Sequence, residues 1–87
     1  METGNRVSKE QINALMNSAE YTDMKLWENC ILLSARFPSG FVITETSACV
    51  DPANYDHDLG VSICLERIED KLWMLEGYLL ANANCGK

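Results

Sequence analysis

Between Ser47 and Asp58 the chain sets Ser47, Cys49, Asp51, Asn54, Tyr55, Asp56, His57 and Asp58 within a dozen positions. Three chemistries can be asked of such a run. Metal binding needs several oxygens to converge, but 51, 56 and 58 do not follow a calcium-loop spacing. Nucleophilic catalysis needs a base beside a thiol or hydroxyl. His57, the single histidine, has neither as an immediate neighbour, so Cys49 or Ser47 would have to reach it in three dimensions. Ligand recognition asks less: Asn54 and Tyr55 suit a base by hydrogen bond and stacking, and a guanidinium such as Arg36 suits a phosphate. The candidate ligand-binding set is therefore Arg36, Ser47, Asp51, Asn54 and Tyr55. A plainer reading competes with all three. Asp51-Pro52 is a helix-start signal, and Asp56 and Asp58 lie where a helix dipole favours negative charge. On that reading the run is a structural crossover, with no metal, no cofactor and no catalysis.

The element that must position this run follows it directly. Val61, Leu65, Ile68, Leu72, Leu75 and Leu79 recur at alternating steps of four and three. This is one apolar seam on a helix from Asp56 to about Ala81, roughly 35–40 Å long. Glu66, Arg67, Glu69, Asp70 and Lys71 lie away from the seam, with Arg67 and Asp70 spaced to pair. Gly77 interrupts the helix late, which points to close approach of another backbone there.

Upstream, Met1–Val7 reads as a frayed tail. Ser8-Lys9-Glu10-Gln11 is a capping box that opens a helix over Lys9–Ala19, with Ile12, Leu15, Met16 and Ala19 as its apolar stripe. Tyr21–Lys25 reads as a connector and Leu26–Phe37 as strand. Period-2 alternation places Ile31, Leu33, Ala35 and Phe37 on one face and Cys30, Leu32, Ser34 and Arg36 on the other. Pro38-Ser39-Gly40 makes a turn into the β-branched run Phe41–Thr44, so residues 28–46 form a β-hairpin. The expected fold class is α+β: N-terminal helix, β-hairpin, short helical turn and long C-terminal helix, as one domain over 1–87.

The totals bound the function further. Net charge of −6 over 87 residues argues against a phosphate-backbone partner, and raises DNA mimicry as an alternative. No apolar run approaches a membrane span, and the polar N-terminus does not suit a signal peptide. The four cysteines, Cys30, Cys49, Cys64 and Cys85, are widely spaced and read as reduced thiols in a cytosolic protein. Cys64 belongs on or beside the seam.

Two stretches carry a resemblance. One is Gly40-Phe41-Val42-Ile43-Thr44, continued by Ser47-Ala48-Cys49-Val50-Asp51-Pro52-Ala53-Asn54-Tyr55-Asp56 to Gly60. The other is Lys71-Leu72-Trp73-Met74-Leu75-Glu76-Gly77-Tyr78-Leu79-Leu80. Together they resemble a family of small tailed-phage proteins named after short-tailed phages of Escherichia and Shigella, and the likeness covers nearly the whole chain. Glu45-Thr46 stands where that family usually has Gly-Glu, and Val61-Ser62 where it usually has a basic pair. The resemblance implies a phage- or prophage-encoded accessory protein acting in the bacterial host cytoplasm, and it transfers no catalytic residue.

Three functions follow as expectations. The first is an interaction protein that binds and modulates a host protein. The second is a binder of a nucleotide signal used in antiphage defence, and the third a DNA mimic. A homodimer is expected as well. The interface set is Val61, Leu65, Ile68, Leu72, Trp73, Leu75, Gly77 and Leu79, because a hairpin and a short helix cannot cover so long a seam.

Overall fold

The computed structural model describes residues 6–85. The expected tail over Met1–Val7 therefore lies mostly outside the described residues, as do residues 86–87. The order of elements is α1 (Lys9–Ser18), β1 (Glu20–Leu26), β2 (Cys30–Arg36), β3 (Val42–Ala48), a single 3-10 turn (Pro52–Asn54) and α2 (His57–Cys85). The architecture is α+β. The Ser8 hydroxyl caps α1 by accepting from the Gln11 amide at 3.1 Å, as the capping box dictates.

The strands form one antiparallel sheet in the order β1-β2-β3. Its hairpin, β2–β3, closes through Gly40, whose φ of +93° suits a residue without Cβ. The Gly40 amide donates to the Phe37 carbonyl at 2.7 Å. Ile31, Leu33, Ala35 and Phe37 are all buried, the face that period-2 alternation assigns to the interior.

The segment expected to be a connector, Tyr21–Lys25, is instead the body of β1, so the hairpin is two-thirds of a three-stranded sheet. The reason lies in the register. Tyr21, Asp23 and Lys25 stand opposite Ala35, Leu33 and Ile31 and share their face of the sheet. That row is polar and aromatic, so β1 shows no apolar alternation. Backbone pairing to β2, rather than burial of its own side chains, holds it. The strand-like run from Leu26 also breaks, because Trp27–Asn29 turns the chain between β1 and β2.

One face of the sheet carries α2, and α1 packs on α2. The core joins Ile12 of α1, the inner row of the sheet with Ile43, and Cys64, Ile68 and Leu72 of α2. The buried row on α2 is thus Gly60, Cys64, Ile68 and Leu72, at steps of four. Val61, Leu65 and Leu75 flank it, half-buried. Gly60 explains how the helix comes so close: a Cβ there would stand 2.6 Å from Ile31 Cγ2. The close approach expected at Gly77 is not made within the chain, where an added Cβ would meet nothing within 4 Å.

Polar ties fix the helix in register. Arg67 donates to the Thr46 carbonyl of β3 at 2.7 Å instead of pairing with Asp70. Lys71 meets Glu45, on the inner face of β3. Gln11 donates to Glu76 at 2.9 Å, joining the two helices. The helix ends at Cys85, four residues beyond the expected Ala81.

Candidate functional site

Asp51 accepts from the Ala53 amide at 3.0 Å, so the cap read from Asp51-Pro52 forms as expected. Pro52–Asn54 then make the 3-10 turn, closed by the Asn54 amide on the Asp51 carbonyl at 2.9 Å and the Tyr55 amide on the Pro52 carbonyl at 3.1 Å. Asp56 in turn caps α2, accepting from the Leu59 amide at 3.1 Å.

His57, first in α2, reaches across to β1: its Nε2 lies 2.6 Å from Asp23 Oδ2, and its Nδ1 lies 3.4 Å from Asp58 Oδ1. Hydrogen bonds to Asp23 and then Asp58 hold the imidazole above its ordinary pKa. Neither Ser47 nor Cys49 is among its partners. Next to it, Lys25 Nζ sits 4.6 Å from the centre of the Tyr55 ring, a cation–π contact. The Tyr55 hydroxyl is buried without a hydrogen-bond partner. Burial first, then the nearby Asp23, Cys30 and Cys49, push its pKa upward.

The ligand set divides. Ser47 lies in β3 opposite Ile31, at the same end of the sheet as Asp51, Asn54 and Tyr55. Arg36 is five residues further along β2, roughly 17 Å away, where it pairs with Glu20. A phosphate read by Arg36 would therefore not be the phosphate of a base stacked on Tyr55. Among the described residues no cluster of three or more His, Cys, Asp or Glu is arranged to hold a metal ion. Cys30, Cys49 and Cys64 carry free thiols; the side chain of Cys85 lies outside the described residues.

The β1–β2 turn and the segment after β3 are stitched together at this end of the sheet. The Cys49 amide donates to the Asn29 carbonyl at 2.9 Å, and the Asn29 side chain donates back to the Cys49 carbonyl at 2.7 Å. Beside the stitch, Trp27 is 91% exposed and Val50 100% exposed. Trp27 has φ of +58°, a left-handed conformation that costs an L-residue about 1–2 kcal/mol. Sequence reasoning missed this position, since nothing in Leu26-Trp27-Glu28 signals a strand break.

A second candidate surface lies at the other end. There α2 runs past the Pro38–Gly40 turn, and Leu15, Phe37, Phe41, Leu72, Leu75 and Leu79 line a groove of about 330 Å³. Of its lining, Phe41, Tyr78 and Leu79 are exposed by 54, 68 and 58%. Of the expected interface set, Ile68 and Leu72 are already enclosed by the chain's own core, and Val61 and Leu65 are half-buried in it. Trp73, Gly77 and Leu79, with the half-buried Leu75, remain reachable. Among the described residues no helix is long and apolar enough to cross a membrane.

A family model described as Phage protein (N4 Gp49/phage Sf6 gene 66) family matches residues 7–83. No curated protein and no solved structure matches the chain.

Proposed function

The chain belongs to the N4 Gp49/phage Sf6 gene 66 family of phage proteins, and from that premise we propose an accessory protein that works by protein contact rather than catalysis. It is a homodimer in the bacterial cytoplasm, and it binds and modulates a host protein. The observation that carries this reading is the overhang of α2, with its apolar groove and exposed Tyr78 and Leu79.

The unmatched length of α2 supports self-association: a helix of 29 residues reaches about 43 Å, beyond strands of seven residues that reach about 23 Å. A two-fold crossing of the overhanging helices through Leu75 and Leu79 covers the groove of each copy.

Light scattering at micromolar concentration tests the dimer, and a monomer mass for folded protein rejects it. Affinity capture from host lysate tests the host partner. Recovery of no specific protein, reproducibly, rejects that half of the reading. The nucleotide alternative predicts a thermal shift with cyclic or linear nucleotides; the separation of Arg36 from Tyr55 weighs against it.

A further inference from the structure

Resting on the reading of this chain as a protein-contact factor, we propose that Trp27 and Val50 form the anchor for the second protein, and that this partner offers an apolar slot rimmed by Lys or Arg.

The anchor is built rather than loose. Its two loops are tied by the reciprocal bonds between Asn29 and Cys49, and the Cys49 thiol donates to the Asp51 carbonyl at 3.3 Å. On this platform stand the two most exposed large apolar side chains among the described residues, Trp27 at 91% and Val50 at 100%. Packing within the chain does not account for Trp27, which touches little and holds a left-handed backbone at φ +58°. A glycine or asparagine would serve the turn with less strain. Tryptophan is the residue type that most often dominates a protein interface when it fills a pocket.

Charge selects the occupant. Glu28, Asp51, Asp56 and Asp58 are all exposed at this end. Of the cations near this end, Lys25 is held over the Tyr55 ring, Arg67 donates to the Thr46 carbonyl, and His57 is engaged by Asp23 and Asp58. Four exposed carboxylates at the end that carries the apolar anchor repel phosphate backbones and anionic lipid. They complement a basic rim, which steers association and fixes orientation. The anchor lies at the opposite end of the sheet from the α2 groove, so dimerisation leaves it free.

The test compares wild type, Trp27→Gly, Glu28→Lys and Leu79→Ser against the protein captured from host lysate, once that protein is purified. Trp27→Gly suits the left-handed turn, so its melting temperature should equal or exceed that of wild type while affinity falls by about tenfold or more. Glu28→Lys should slow association and reduce its salt dependence. A Lys→Glu change on the partner's rim should restore part of what Glu28→Lys loses. Leu79→Ser should bind the host protein as wild type does. Unchanged affinity for folded Trp27→Gly overturns this assignment and leaves the protein-contact reading standing. Trp27-dependent binding to anionic vesicles or to nucleic acid, in place of a protein, overturns it too. Capture of nothing specific by wild type overturns both.

Discussion

The two halves of α2 carry similar side chains at similar spacing and meet opposite fates. From Gly60 to Leu72 the inward row is buried against β2 and β3. Beyond Leu72, Leu79 on the same side of the helix is 58% exposed and Tyr78 beside it 68%. The difference comes from what lies opposite. Strands of seven residues reach about 23 Å, while a helix of 29 residues reaches about 43 Å. Roughly 20 Å of helix must overhang whatever its sequence. Apolar periodicity therefore marks a face that wants cover, not the element that supplies it.

The largest effect that tests this contrast is in the covered half. Ile68, fully buried, should cost about 2–5 kcal/mol when cut to alanine, from lost transfer energy and the cavity left behind. Leu79→Ala should cost the isolated fold less than about 0.5 kcal/mol while loosening the proposed dimer. Urea melts of the two variants, with light scattering on the second, would erase the contrast if both lost equal stability.

The two glycines sharpen it. Gly60→Ala forces a methyl group against the fixed, buried Ile31 and should destabilise by about 1–3 kcal/mol. Gly77→Ala meets nothing within the chain and should raise helix stability by about 0.5–1 kcal/mol. Gly77 lies on the side of α2 away from Leu75 and Leu79, so the same change should leave self-association through the groove as it is in wild type. Thermal melts at low and high protein concentration check both outcomes.

The smallest effect lies at the helix's first residue. His57 has a raised pKa when folded, so its contribution to stability is fully present below the unfolded value near 6.5 and fades as pH rises through the folded value. Melting temperature should thus fall from mildly acidic to mildly alkaline pH in wild type, and less so in His57→Gln. Equal pH dependence in both would remove Asp23–His57 as a tie between sheet and helix.

Features set by neighbours in sequence were legible. The Ser8 and Asp51 caps, the Pro38–Gly40 turn, and the inward row Ile31, Leu33, Ala35 and Phe37 all follow from dihedral preference or side-chain period. β1 was not legible, because its inner row of Tyr21, Asp23 and Lys25 carries no apolar alternation and its partner strand supplies the pairing. The candidate site was half legible. Ser47, Asp51, Asn54 and Tyr55 do share one end of the sheet, but Arg36 stands at the other, and Trp27 gave no signal.

By itself, then, the sequence determined which segments are helix or hairpin and which faces are apolar. Those depend on local backbone energetics and on periods of 3.6 and 2 residues. Only the tertiary structure decided what covers each face. Gly60 rather than Gly77 became the close approach, and His57 met Asp23, 34 residues away. Such outcomes depend on relative lengths and register of elements distant in the chain, which no local pattern records.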